Sequence, residues 1–240
     1  MKTIHLFCLP FAGGSKYSYR DYEALAPAFI KVIPLEYPGR GARIKEALLG
    51  NMDEIVDDLY CQIRHRVADQ PYAIYGHSMG ALTALLLTRK LVANNHRAPL
   101  HLFVTGTAGP AAYSQKEQRR HLMPMPEFIQ EIKKLDGIPD ELLEHEELLE
   151  YIEPILRADF RVIETYTYVE SEKLDVPVSV ITGTREKMDA KDIQAWQVET
   201  QCAVDFLQLP GKHFFIFHYA DVIMNTMVEK LTLKDQIVPL

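Results

Sequence analysis

Short apolar runs alternate along the chain with segments whose apolar residues recur at helical spacing. Thr3 to Leu9 reads as a strand and Lys31 to Glu36 as a second. Past a Pro-Gly turn at Tyr37 to Gly41, residues Met52, Ile55, Val56, Leu59, Tyr60 and Ile63 fall on one helical face. Asn51, with Glu54 three residues on, resembles a capping box at the start of that helix. Tyr72 to Tyr75 is expected as a third strand, Ala81 to Val92 as a helix and His101 to Gly106 as a fourth strand. Strand signals then stop. From Tyr113 to Thr165 three helical patterns follow one another, opened by Pro126, Pro139 and Glu150, and the third carries a stripe of Ile152, Ile155, Leu156, Phe160 and Ile163. Strands resume at Val178 to Thr182 and Val204 to Leu209. The alternation predicts an α/β fold, with a mostly parallel central sheet flanked by helices. Residues 1–112 and 166–240 are expected to form its core. The block 113–165 is expected as an inserted helical lid over the carboxyl ends of the strands, where such sheets bind ligands.

Composition narrows the function classes. At 240 residues and 48% hydrophobic, the chain can bury one large core and is expected to act as a monomer. A net charge of −7 gives no basic footprint for nucleic acid. Three cysteines, Cys8, Cys61 and Cys202, have neither disulfide-framework nor zinc-site spacing and suit a reducing cytoplasm. No apolar run reaches the length of a membrane span. The stretch from Ile4 to Ala12 after Lys2 is interrupted by His5 and Pro10, and reads as a first strand rather than a secretory signal. The Gly-Gly-Ser at 13–15 lacks the G-x-G-x-x-G or Walker lysine of a phosphate cradle, and no cofactor or metal is expected.

The chemistry concentrates at Gly76-His77-Ser78-Met79-Gly80, a G-x-S-x-G pentapeptide between a strand and a helix. By composition alone a chain of this length contains such a pentapeptide about one time in ten, so the context carries the weight. A serine on a sharp strand-to-helix turn projects its hydroxyl, and the helix aims free N–H groups at a developing oxyanion. Ser78 is therefore the expected nucleophile, and it needs a base. His213, in the loop after the last strand, is preferred over His218, which falls within the following apolar run; His77 adjoins the nucleophile, and His5 and His101 lie in strands. The third member should be a carboxylate after the preceding strand. Glu186 and Asp189 both stand there, with Glu186 preferred; Asp192 is expected to open a helix. One oxyanion donor is expected at the Met79 amide. The second is expected in the loop Leu9 to Ser15, at Ala12, with Phe11 as the alternative.

Cys8-Leu9-Pro10-Phe11-Ala12-Gly13-Gly14, Tyr37-Pro38-Gly39-Arg40-Gly41, Gly76-His77-Ser78-Met79-Gly80 and Gly211-Lys212-His213-Phe214-Phe215 together resemble the type II, or editing, thioesterases of polyketide and nonribosomal peptide biosynthesis. The resemblance covers essentially the whole chain. It implies an α/β-hydrolase fold with a helical lid, and hydrolysis of acyl or aminoacyl thioesters from the phosphopantetheine arm of an acyl- or peptidyl-carrier protein. Two positions depart from the family pattern: Glu186 stands where aspartate is usual, and Lys212 where glycine is usual. A carboxylesterase acting on small esters and a noncatalytic carrier-docking module are the competing functions on the same fold.

The charge is unevenly spread. Residues 111–165 hold 7 basic and 13 acidic side chains, a net −6 of the total −7. Residues 113–134 sum to +2 through Lys116, Arg119, Arg120, Lys133 and Lys134, and residues 135–165 sum to −8. Carrier proteins of these pathways are generally acidic, so the basic part is the expected side of approach.

Overall fold

The computed structural model describes residues 2–113, 119–134 and 145–235. Among these, β1 (Ile4–Leu9), β2 (Ile30–Pro34), β3 (Tyr72–His77), β4 (Leu102–Thr105), β5 (Val178–Gly183) and β6 (Asp205–Leu209) form one sheet. The strand order is β2-β1-β3-β4-β5-β6 and every neighbouring pair is parallel. All six expected strands are present. β3 runs two residues beyond Tyr75 because Gly76 and His77 still pair with Val104 and Thr105 of β4. The chain leaves β1 toward β2 and returns on the other side as β3. The crevice beyond the carboxyl ends of β1 and β3 is thus the topological switch point, where open α/β sheets bind their ligands.

Helices cover both faces, as a parallel sheet requires. The helices are α1 (Arg20–Leu25), α2 (Met52–Ile63), α3 (Met79–Ala93), α4 (Pro110–Tyr113), α5 (Met125–Lys134), α6 (Glu146–Glu164), α7 (Ala190–Gln194), α8 (Phe215–His218) and α9 (Ala220–Asp235). On one face α2 contributes Met52, Ile55, Val56, Leu59 and Ile63 to the core, the stripe read from the sequence. Each such side chain stabilises the fold by roughly 1.5–3 kcal/mol. Asn51 Oδ1 accepts the Glu54 N–H at 2.9 Å, but Glu54 returns to the N–H of Gly50 at 3.0 Å rather than to that of Asn51. α3 packs against both the sheet and α2 and is apolar on nearly every side. Its two buried threonines return their hydroxyls to backbone, Thr83 to Gly80 O at 3.1 Å and Thr88 to Ala84 O at 2.8 Å. On the opposite face α1 and α9 pack Tyr22, Ile223, Met224 and Met227 against β1 and β3.

Between β4 and β5 the described elements are helical. α5 and α6 close a small core of their own from Phe128, Ile132, Leu156 and Phe160. The helix expected to open at Glu150 starts at Glu146. Leu148 and Leu149 extend the stripe backward at helical spacing, but Leu148 is exposed and Leu149 only half-buried, so the helix begins a turn before its buried face does. The pattern opened by Pro139 lies outside the described residues. Among the described residues no helix is long and apolar enough to cross a membrane.

Candidate active site

Ser78 joins β3 to α3 with φ 54° and ψ −116°, a backbone conformation that costs a non-glycine residue of order 1–3 kcal/mol. The turn is made possible by its flanking glycines. A Cβ on Gly76 would overlap the Gly80 carbonyl, and one on Gly80 would overlap the Leu9 carbonyl. The turn is tied to the neighbouring strand by the Ser78 N–H, which donates to Thr105 O at 2.9 Å. Ser78 O accepts the N–H groups of Ala81 and Leu82, so the amides of Met79 and Gly80 are left at the mouth of α3. His77 is fully buried, and its Nδ1 meets Thr105 Oγ1 at 3.0 Å. Burial pushes its imidazole well below the ordinary histidine range, and the neighbouring His213 adds to that shift.

His213 follows β6, and its ring centroid lies 4.7 Å from that of His77, one residue before the serine. Its Nδ1 is 2.7 Å from Glu186 Oε1. Glu186 sits in a tight turn after β5, its N–H donating to Gly183 O at 3.1 Å. Its second oxygen accepts the Gly183 N–H at 2.6 Å, so the carboxylate curls back over its own turn and both oxygens are engaged. The extra methylene of glutamate is what spans that curl. Asp189 instead precedes α7, where its carbonyl accepts the N–H groups of Asp192 and Ile193. Asp192, expected to open that helix, lies inside it; the helix starts at Ala190. His218 is exposed at the end of α8. His5 is half-buried in β1, while His101 is buried and bonded through Nε2 to Ser179 Oγ at 2.8 Å.

The loop after β1 faces the same crevice. Gly14 N–H donates to Phe11 O at 2.8 Å, closing a turn whose third residue, Gly13, has φ 77°, as a type II turn needs. Gly13 N–H donates to Asp159 Oδ2 at 2.7 Å. With those two amides committed and Pro10 lacking one, Phe11 and Ala12 hold the loop's remaining N–H groups. Two tyrosines anchor the loop's carbonyls: Tyr19 OH donates to Leu9 O at 2.5 Å and Tyr37 OH to Pro10 O at 2.9 Å.

A sequence profile of the thioesterase domain matches residues 4–231. The chain belongs to the thioesterase family. It is 32% identical over 231 residues to the gramicidin S biosynthesis protein GrsT of Aneurinibacillus migulanus, covering 96% of this chain and 90% of that one. Among solved structures it is similar to ClbQ from the colibactin NRPS/PKS pathway, with a TM-score of 0.93 at 28% identity over 99% of this chain and 100% of that chain. It is also similar to the type II thioesterase BorB from the borrelidin biosynthetic cluster, with a TM-score of 0.86 at 32% identity over 95% and 93%. The enzyme is a thioester hydrolase with an α/β-hydrolase fold.

Beside Ser78 the thioesterase opens an apolar cleft lined by Leu82, Ala108, Pro110, Ile163 and Trp196, with Thr107 as a polar member. Trp196 is fully buried and its indole N–H donates to Thr107 O at 3.2 Å, which fixes the wall. Two residues that sequence reasoning left without a role converge on the loop after β1. Arg40, from the Tyr37 to Gly41 turn, and Asp159, from α6, form a buried bidentate pair, Nη1 to Oδ2 at 2.5 Å and Nη2 to Oδ1 at 2.7 Å. A signal for Asp159 was available: it continues the apolar stripe Ile152, Ile155, Leu156, Phe160 and Ile163 at the same helical spacing, a charge on the face that should be buried.

Proposed function

We propose that this thioesterase hydrolyses acyl and aminoacyl thioesters on the phosphopantetheine arms of acyl- or peptidyl-carrier proteins, clearing stalled groups from a polyketide or nonribosomal peptide pathway. The observation that carries the serine-hydrolase mechanism is the 2.7 Å pair of His213 Nδ1 with Glu186 Oε1 beside the strained Ser78 turn. Likeness to GrsT, ClbQ and BorB along nearly the whole chain supports the carrier-bound substrate.

Ser78 Oγ attacks the thioester carbonyl while His213 Nε2 takes its proton. Glu186 holds the imidazole by Nδ1 and stabilises its charged form. The amides of Met79 and Ala12 donate to the oxyanion of the tetrahedral intermediate, which collapses as the C–S bond breaks and the pantetheine thiol leaves with the proton from His213. A water then gives its proton to His213 and attacks the acyl-serine, releasing the acid and restoring the serine hydroxyl. Thiolate is a good leaving group, so deacylation rather than acylation limits turnover. Residues 113–165 act as the lid over this site, and the enzyme works as a cytoplasmic monomer.

Turnover of one acyl group on a carrier protein, on coenzyme A and as a p-nitrophenyl ester tests the assignment. The carrier-bound thioester is expected to give the highest kcat/KM. Equal values for all three would identify a general esterase instead. A fluorophosphonate probe is expected to label Ser78 and to leave Ser78→Ala unlabelled; hydrolysis surviving in Ser78→Ala would remove the nucleophile assignment.

A further inference from the structure

Asp159 reaches the loop after β1 from α6. Its Oδ2 accepts the Gly13 N–H at 2.7 Å, and both of its oxygens are held by the Arg40 guanidinium. The side chains of Arg40 and Asp159 are 4% and 1% exposed, so the pair is sealed from water. Three residues before Asp159 on the same face of α6, Leu156 packs so closely on Gly13 that a Cβ there would overlap its side chain. α6 therefore grips Gly13 twice, by an apolar contact and by a hydrogen bond, and Ala12 packs against the same small core of α5 and α6. Gly13 adjoins Ala12, the assigned oxyanion donor. The peptide plane between them carries the Gly13 N–H, so fixing that N–H fixes the rotation of the turn that aims the Ala12 amide.

We propose that Asp159 is a positioning residue for the oxyanion hole, with Arg40 as its neutralising partner, so that the hole is fully formed only while α6 is seated on the loop. The inference rests on the proposed serine mechanism and on Ala12 as its donor. Arg40 is required for an electrostatic reason. A carboxylate one peptide away from a developing oxyanion opposes it, and a bidentate guanidinium cancels that field while leaving the carboxylate free to accept from Gly13. The arrangement links helix seating to chemistry: substrate that lets α6 settle also completes the site.

The test compares Arg40→Met with Asp159→Asn and Arg40→Met with Asp159→Leu, two variants that remove the buried pair together, share the loss of Arg40 beside the buried Glu36, and differ in the acceptor offered to the Gly13 N–H. Asparagine keeps an acceptor for the Gly13 N–H; leucine keeps the bulk and removes it. An alkylboronic acid, which adds to a serine Oγ and places an oxygen where the oxyanion forms, is the probe of the hole; an alkyl pantetheine thioether, which has no carbonyl, is the probe of ground-state binding. The leucine variant is expected to fall at least ten-fold below the asparagine variant in kcat and in boronate affinity, with KM and thioether affinity within about three-fold. Folded variants that agree within three-fold in kcat and boronate affinity would overturn the proposal, because loss of fold alone does not separate the two probes. Where the leucine variant does not fold, wild-type hydrogen exchange decides. Coupling is reciprocal, so boronate bound in the hole is expected to slow exchange along α6 as well as at residues 11–14. Protection confined to residues 11–14 would overturn it. A wild-type enzyme that does not bind the boronate would overturn the serine mechanism, and this inference with it.

Discussion

At the scale of single residues, the choice between two nearby carboxylates turns on a methylene. Glu186 uses one oxygen on its own turn and the other on His213, whereas Asp189 spends its backbone on the start of α7. Glu186→Gln keeps the shape but loses the charge that stabilises an imidazolium, so kcat is expected to fall by about 10³- to 10⁴-fold with KM little changed. Asp189→Asn is expected to stay within two-fold; steady-state kinetics of both on one acyl-carrier substrate would expose a misassigned acid if the losses were reversed. His77 makes a second prediction, about stability. Its folded state keeps the imidazole neutral well below the usual range, so as pH falls below about 6.5 only the unfolded chain gains that proton. Folding stability therefore drops with falling pH, with His77 contributing about 1.4 kcal/mol per pH unit until the folded imidazole itself titrates. Urea unfolding at pH 7, 6 and 5 should show a shallower loss in His77→Gln than in the natural sequence, and equal slopes would refute the assignment. The candidate nucleophile Ser78 and candidate base His213 were nominated from the sequence because chain order and the strand before each restrict the choice. The proposed acid was legible only as a choice between Glu186 and Asp189, since a turn that folds a side chain back on itself leaves no spacing signal.

Elements were most legible where burial imposes a period. β3, β4 and β5 are buried throughout and read as short, mostly apolar runs, and α2 displays its stripe because only one side is buried. β6 reads as the same kind of run yet is an edge strand, with Phe206 and Leu207 well exposed, so its composition overstated its burial. The start of α6 was placed a turn late, although Leu148 and Leu149 continue its apolar spacing, because they precede the buried stripe and are exposed and half-buried. These elements are also expected to set substrate preference. The cleft beside Ser78 is built by α3, the β4–α4 loop, α6 and the turn holding Trp196, and none of the residues lining it is charged. A carboxylate buried there without a partner costs several kcal/mol. Propionyl and butyryl groups on a carrier are accordingly expected to be cleaved with a kcat/KM at least about ten-fold above malonyl on the same carrier. Leu82→Ala lengthens the cleft and should move the optimum to longer chains, at a stability loss of about 2–5 kcal/mol by denaturant unfolding. Indifference to the malonyl carboxylate would show that the acyl group lies elsewhere.

For the whole molecule, the question is how a protein with −6 of its −7 net charge in residues 111–165 would meet the acidic carrier proposed as its partner. The basic side chains of residues 113–134 differ in what the fold makes of them. Arg120 lies 3.5 Å from Glu164 and 4.0 Å from Glu131 and covers the Phe160 ring, so it serves the packing of α5 against α6. Lys134 pairs with Glu131 one turn back on α5. Lys116 lies outside the described residues. Arg119 and Lys133 are exposed and make no ion pair among the described residues, which leaves them as the available contacts for an acidic carrier. Exposed pairs contribute roughly 0.2–1 kcal/mol each and are screened by salt. Reversing both, with Arg119→Glu and Lys133→Glu, is therefore expected to raise KM for the carrier by about 3- to 10-fold at low ionic strength and far less at 0.5 M salt. Hydrolysis of a small N-acetylcysteamine thioester should be unaffected by the same changes, since it needs the cleft but not the surface. Arg120→Glu should behave differently. It places a second carboxylate beside the nearly buried Glu164, so it is expected to lower Tm and to impair both substrates together. A carrier KM that ignores both salt and the double reversal would mean that the carrier approaches over another part of the surface.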